Sequence, residues 1–161
     1  MKILGISGSS RIKNTDFMLR IVLDATGLDY ELIRLKDKNI FQCLNCKSCH
    51  NTFECVQKDD MQPLYQKLIE ADVVVLGSPT YFDNVTGIMK KFMDRCLPFY
   101  FSRKLEGKKV VVLSVGGFKN LVESDKNGNC ASCENDNACA RTVLRCIDSL
   151  KFFSNQLHEC C

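Results

Sequence analysis

Met1-Lys2-Ile3-Leu4-Gly5-Ile6-Ser7-Gly8-Ser9-Ser10-Arg11-Ile12-Lys13-Asn14-Thr15 passes from an apolar segment through a small, hydroxyl-rich turn into a helical pattern. Residues 2–7 (KILGIS) are short and apolar without alternation, the pattern of a strand covered on both faces. The Ser, Asn and Thr residues beyond it are helix-capping types. Met18, Ile21, Val22 and Ala25 then recur at i, i+3, i+4 and i+7, with Gly27 as a stop. A strand that turns directly into a helix is the opening of a βα unit.

The same alternation runs outward along the chain. Residues 29–35 (DYELIRL) alternate about a sheet, while residues 71–77 (ADVVVLG) and 109–114 (KVVVLS) are continuous apolar runs suited to parallel strands. Met61, Leu64, Tyr65 and Leu68 form a helical stripe behind an Asp59-Asp60 start, with Pro63 in the first turn. Val85, Ile88, Met89, Phe92, Met93 and Cys96 form the clearest stripe, ended by Pro98. Val143, Leu144, Ile147 and Leu150 predict a fourth helix, and residues 152–157 a short fifth strand. Strands and helices in strict alternation imply an α/β sandwich, a parallel sheet joined by right-handed crossovers. With no repeat and no linker, residues 1–161 read as a single domain carrying an inserted cysteine loop at 36–59.

Composition narrows the classes of function. Hydrophobic residues make up 45% and charged residues 25%, as in a folded globular domain. Lys plus Arg is 22 against 19 for Asp plus Glu, a net charge of +3 too small and dispersed to predict a nucleic-acid or membrane partner. No apolar run approaches the roughly 18 residues of a membrane span. The first residues enter a structured pattern rather than a signal peptide, so a cytoplasmic setting is expected. Thiols are reduced there, and eleven cysteines need a role other than disulfides.

Two long loops and one short turn carry the chemistry. At the carboxyl end of the first strand, Ser7, Ser9, Ser10 and Thr15 supply hydroxyls, Asn14 an amide and Arg11 a guanidinium, beside the free N–H groups of a helix start. The single Gly8 excludes G-x-G-x-x-G, and no G-K-[ST] follows, leaving a monophosphate site or a plain capped turn. Cys43-x2-Cys46-x2-Cys49-x5-Cys55 is more specific. Successive x2 gaps wind a chain around a cubane 4Fe-4S cluster, and Val56 rather than Pro after Cys55 lets the fourth thiolate serve the same cluster. Zinc, with His50 in reserve, and unliganded thiols are the rival readings. Cys96 lies on an apolar stripe and reads as a core thiol. Cys130, Cys133, Cys139 and Cys146 admit a second metal site, with Cys139 and Cys146 on one helical face, and Cys160-Cys161 are left unassigned.

Gly8-Ser9-Ser10-Arg11 followed by Asn14-Thr15 resembles the phosphate loop of flavodoxin-like, NAD(P)H-dependent FMN reductases. Residues 77–87 (GSPTYFDNVTG), running on to residues 90–95 (KKFMDR), are similar to that family's second flavin loop and the helix after it. Gly116-Gly117 resembles the third. The resemblance implies that Pro79, Thr80, Tyr81, Phe82, Asp83, Asn84 and Val85 wrap the flavin ring, with the phosphate at Ser7, Ser9, Ser10, Arg11, Asn14 and Thr15. Flavin loops together with the compact cysteine motif resemble the iron–sulfur flavoproteins of that superfamily over residues 2–117.

What the resemblance implies is specific. The fold would be a flavodoxin-like three-layer sandwich with strand order 2-1-3-4-5 and FMN at the switch point. The function would be electron transfer between ferredoxin or NAD(P)H and an acceptor through FMN and a 4Fe-4S cluster on Cys43, Cys46, Cys49 and Cys55, in a homodimer or homotetramer. No side chain need act as acid or nucleophile. Two readings from other classes stand beside it: an NAD(P)H-dependent FMN or quinone reductase with a structural zinc, and a non-enzymatic flavodoxin-type carrier.

Overall fold

The computed structural model describes residues 1–82 and 84–116 with their side chains, and the backbone of Arg141–Asp148. In chain order the elements are β1 (Ile3–Ser7), α1 (Asn14–Asp24), β2 (Tyr30–Arg34), a 3-10 turn (Leu35–Asp37), α2 (Cys49–Thr52), α3 (Met61–Glu70), β3 (Val73–Tyr81), β4 (Asn84–Val85), α4 (Gly87–Arg95), α5 (Leu97–Ser102), β5 (Lys109–Gly116) and β6 (Arg141–Asp148). The main sheet runs β2-β1-β3-β5-β6, with the two-residue β4 folded back on β3 as a hairpin. With that hairpin set aside, the first four strands follow the expected order 2-1-3-4, and β6 takes the fifth position.

The β1 strand is central and buried at every position, which is why its sequence carries no polar alternation. Successive side chains still go to opposite faces. Leu4 and Ile6 join Met61, Leu64 and Leu68 of α3 and Met89 and Phe92 of α4 in one core layer. Ile3 joins Leu19 and Leu23 of α1, with Val75, Leu113 and Val115, in the other. Burying a Leu of this kind contributes roughly 1.5–3 kcal/mol. Helix α1 lies close to the sheet because glycines stand beneath it. A Cβ on Gly5 would meet Leu23 at 2.7 Å, and one on Gly77 would meet Leu19 at 2.6 Å.

Four features differ from the sequence expectation. Residues 141–148 form β6, antiparallel to β5 from Lys109↔Asp148 to Gly116↔Arg141, so Val143, Leu144 and Ile147 of the expected helix lie in a strand, and Leu150 lies outside the described residues. The apolar spacing of a short run fits either period, Thr142, Val143 and Ile147 are β-branched, and the open edge of β5 offers a ladder. The sheet is therefore parallel over β2, β1, β3 and β5 and antiparallel at this edge. The buried stripe of α1 is Thr15, Asp16, Leu19 and Leu23, with Ile21 46% exposed. Pro98 does not simply end a helix, since it sits in the first turn of α5, whose missing N–H costs nothing there.

Cys96 is buried among the core residues, as its stripe predicted. Cys130, Cys133, Cys139, Cys160 and Cys161 and the strand expected at 152–157 lie outside the described residues. Among the described residues, no helix is long and apolar enough to cross a membrane.

Gly77→Ala is expected to destabilise the fold by about 1–3 kcal/mol, since the new methyl overlaps a fully buried leucine. Leu19→Ala alone should cost about 2–5 kcal/mol. The double variant should cost clearly less than the two together, because the cavity of one accommodates the methyl of the other. Denaturant unfolding of the three variants gives the coupling directly, and strict additivity would contradict the contact.

Candidate active site at the strand ends and a cysteine pocket

Because β1, β3 and β5 run parallel, their carboxyl ends lie side by side, and the turns leaving β1 and β3 share one edge of the sheet with the end of β5. Gly8 N donates to Gly77 O at 2.8 Å, which ties the first turn to β3. Thr86 completes the tie. Its hydroxyl donates to Gly8 O at 2.6 Å, its N–H donates to Ser78 Oγ at 3.2 Å, and its Oγ1 accepts from Met89 N to cap α4. Thr80 Oγ1 lies 2.8 Å from Ser114 Oγ on β5, and Pro79 pairs with Val115, next to Gly116. The described parts of the first two predicted loops and Gly116 at the end of β5 therefore lie close to one another.

Within the first turn the residues divide. Ser7 is wholly buried, and its hydroxyl donates to Asp16 Oδ1 at 2.5 Å while accepting from Ser9 N at 3.4 Å. Ser9 Oγ donates to Arg11 O at 2.7 Å and accepts from Arg11 N at 3.2 Å. Both hydroxyls shape the turn. Ser10, Arg11 and Asn14 stand exposed, and Thr15 is buried in the first turn of α1, where the leading N–H groups have no partner within the helix. Asp16 has a second partner, the Arg34 Nε at 2.5 Å from its Oδ2. Both residues were missed by sequence reasoning, although an acidic residue in a first helical turn is a readable signal.

The second loop is the hairpin of β3 and β4, with Thr80↔Val85 and Tyr81↔Asn84 in register. Pro79, Thr80 and Val85 are half-buried, Tyr81 and Asn84 are exposed, and Phe82 is fully exposed with φ +48°. Asp83 and Gly117 lie outside the described residues, and Gly116 is buried at the end of β5. The described predicted contacts therefore lie near one another at the carboxyl ends of β1, β3 and β5. Hydroxyls, free helix N–H groups and exposed aromatic faces match the donor set and the stacking surfaces of a flavin mononucleotide.

The long loop places Cys43, Cys46, Cys49 and Cys55 in the wall of one pocket, closed by residues 94, 95, 97 and 98 of α4 and α5. Asn45 and Lys47, between successive cysteines, both take positive φ, 50° and 59°, which turns the chain sharply enough for it to wind. Asn45 N donates to Cys43 Sγ at 3.4 Å, the kind of bond that holds a ligating sulfur. Burial and the charges of Cys55, Cys43 and Cys46 push the Cys49 thiol up. Four mutually opposed thiolates need a cation to coexist. Among the described residues, no three Cys, His, Asp or Glu already stand in a metal-ligating array, so the thiols share a pocket and would be drawn inward on binding. His50 does not line this pocket; it stacks on Phe101, centroids 4.2 Å apart.

A buried ion pair anchors the loop. Asp59 and Arg95 are 1% and 0% exposed, and the guanidinium binds both carboxylate oxygens, Nη1 to Oδ2 at 2.5 Å and Nη2 to Oδ1 at 3.1 Å. Nη1 also donates to Phe41 O at 3.0 Å, while Asp59 accepts from the N–H groups of Phe41 and Met61 at 2.9 and 3.0 Å. Tyr65 Oη donates to Arg95 O at 2.6 Å. Arg95 Nε makes no hydrogen bond among the described residues. Burial opposes the charge on Arg95, but its hydrogen bonds to the Asp59 carboxylate hold it protonated. The phosphate turn and the cysteine pocket adjoin opposite ends of α4, whose nine residues span about 13 Å.

The chain is similar to known proteins in sequence and in fold. Residues 1–125 match the family model of NADPH-dependent FMN reductases. An iron-sulfur flavoprotein of Archaeoglobus fulgidus is 44% identical over 98 residues, 59% of this chain and 48% of that protein. One from Methanocaldococcus jannaschii is 38% identical over 126 residues, 74% and 64% of the two chains. The chain thus spans about half to two-thirds of the length of these curated relatives. Among solved structures, a flavone reductase superposes with a TM-score of 0.56 at 26% identity, over 73% of this chain and 44% of that one. An NADH:FMN oxidoreductase superposes at 0.53 and 23% identity, over 74% and 60%, which shows the fold.

Burial alone would raise the Asp59 pKa, but Arg95 and the Phe41 and Met61 N–H groups hold it below the usual carboxylate range. A group depressed on folding stabilises the native state fully above its unfolded pKa of about 3.9 and loses that contribution as the pH falls through the lower folded value. Unfolding free energy is therefore expected to be flat above about pH 5 and to fall below it. Asp59→Asn should cost about 3–5 kcal/mol near neutrality and flatten the acid limb. Urea titrations across the acid range test this, and an unchanged acid limb in the variant would contradict the assignment.

Proposed function

Because the chain belongs to the NADPH-dependent FMN reductase family, we propose that it is an FMN-dependent oxidoreductase that passes electrons between ferredoxin or NAD(P)H and an acceptor, with a 4Fe-4S cluster at Cys43, Cys46, Cys49 and Cys55. The observation that carries this reading is the convergence of those four cysteines on one pocket, in a chain whose parallel strands end side by side next to the loops that resemble flavin loops. Flavin accepts electrons in pairs or singly and a cubane cluster passes them singly, so the two together convert one mode into the other.

The side chains serve by placement. Ser7 and Asp16 hold the first turn in shape, so that Ser10, Arg11, Asn14 and the leading N–H groups of α1 meet a phosphate. Residues 79–82, 84 and 85 present backbone amides and the Tyr81 and Phe82 rings to the isoalloxazine, and Gly116 keeps the third wall close. Asp59 and Arg95 fix where the cysteine loop starts and ends. Nothing in this scheme requires an acid, base or nucleophile from the protein.

A homodimer or homotetramer follows as part of the proposal. The two sites adjoin opposite ends of α4, and Phe41, Leu44, Phe53 and Val56 leave an apolar rim exposed around the cysteine loop, which suits approach of a neighbour's flavin. Free thiols at Cys43, Cys46, Cys49 and Cys55 suit a reducing compartment such as the cytoplasm.

Anaerobic purification with metal, sulfide and flavin analysis tests the cluster. About four iron and four sulfide per chain are expected, with bound FMN, and Cys46→Ala should lose the cluster. One zinc with no sulfide would instead make this a reductase with a structural zinc. Asp16→Asn should weaken FMN binding by roughly tenfold, about 1.4 kcal/mol, by loosening the Ser7 hydroxyl that shapes the turn. Fluorescence titration reads the affinity, and unchanged binding would remove Asp16 from the site.

A further inference from the structure

Arg95 occupies an unusual position. Its side chain is fully removed from solvent and lies in the wall of the pocket that Cys43, Cys46, Cys49 and Cys55 line. Nη1 and Nη2 are committed to Asp59 and Phe41 O, but the Nε–H has no partner among the described residues. Buried guanidinium donors are ordinarily satisfied, and one left over beside a thiol-lined pocket calls for an acceptor from that pocket. Its charge is balanced by Asp59, itself 1% exposed.

We propose that Arg95 is a positioning residue for the cluster, giving its Nε–H to a sulfur of the cysteine site and setting the cluster's reduction potential, with Asp59 fixing how much of its charge the cluster feels. This rests on the cluster reading above. A cubane held by four thiolates is anionic in both oxidation states and carries one more negative charge when reduced. A cation and an N–H···S bond nearby therefore favour the reduced state, and hydrogen bonds to sulfur and local charge are recognised determinants of potential. The couple is a one-electron reduction supplied in the titration by dithionite, with no bond made or broken. The backbone around Arg95 is held from a third side by Tyr65 Oη on its carbonyl, so the guanidinium has little freedom to leave.

Opposite signs in two variants separate this role from plain support of the loop. Arg95→Met removes the charge and the donor, and at a fixed potential the ratio of reduced to oxidised cluster should fall about tenfold, ~59 mV for one electron. Asp59→Asn leaves the arginine charge unbalanced and should raise that ratio by a similar factor. A residue that only holds the loop would lower cluster occupancy in both variants and move the potential in neither, or in the same direction in both.

The measurement is an anaerobic redox titration of the full chain, followed by electron paramagnetic resonance. A second reading uses wild-type protein grown with nitrogen-15 arginine: the reduced cluster should show a nitrogen-15 hyperfine coupling that Arg95→Lys abolishes. That reading decides if either charge variant fails to hold a cluster. Absent coupling in wild type, or potentials that shift together or not at all, overturns the inference and leaves the cluster reading intact. Wild-type protein with no iron and no sulfide overturns both.

Discussion

A strand that runs parallel to its neighbour must be reached by a crossover, so β1, β2, β3 and β5 all leave the sheet at the same edge. Everything functional in the chain descends from that constraint. The phosphate-type turn follows β1, the aromatic hairpin follows β3, and Gly116 ends β5, three segments far apart in sequence that become neighbours without any contact designed between them alone. Glycines at positions 5 and 77 then allow α1 to settle close to the sheet, which sets its first turn, with Thr15 and Asp16, against the edge. Thr86 closes the arrangement by bonding both the first turn and β3's extension.

Two arginine–carboxylate pairs, one fully buried and one with a partly exposed arginine, serve the two loops in the same manner. Asp16 takes Arg34 on one oxygen and the Ser7 hydroxyl on the other, and Ser7 in turn accepts the Ser9 N–H. Asp59 takes both arms of Arg95 and the N–H groups at both ends of the cysteine loop. Neither arrangement is explained as a source of net stability, because stripping water from two charges offsets most of their attraction. What each provides is a single allowed conformation for a loop that otherwise has many.

The sequence is most legible where one strong periodicity dominates. The strands β1, β3 and β5 read as continuous apolar runs because both faces are covered, and the stripe from Ile88 to Cys96 reads as a helix because the burial is one-sided. Cysteine spacing exposes the pocket because short, regular gaps bring Cys43, Cys46, Cys49 and Cys55 to one wall. Helix and strand become indistinguishable at residues 143–147, where three apolar residues satisfy both periods and the free edge of β5 makes the choice. Ser7 reads as a ligand, and its hydroxyl bonds Asp16 and the Ser9 N–H, since a serine's type does not tell which way its hydroxyl is spent. Arg95 and Asp59 were hidden for a related reason. Arg95 falls three residues after Phe92 on an apolar stripe, a visible anomaly, but its partner lies 36 residues away and was read as a helix start.

The pocket's walls come from two different times in the life of the chain. Cys43 through Cys55 leave the ribosome first, and residues 94–98, which complete the pocket, only after β3 and most of α4 have been made. The pairing of β1 with β3 likewise waits for residues some 70 positions on, as the bond from Lys2 N to Asp72 shows. A nascent chain therefore displays four bare thiols before it owns the charge and the helix that enclose them, and loop closure of that length is slow relative to local turns. Biogenesis of this protein must keep those sulfurs reduced and unclaimed until the back wall arrives.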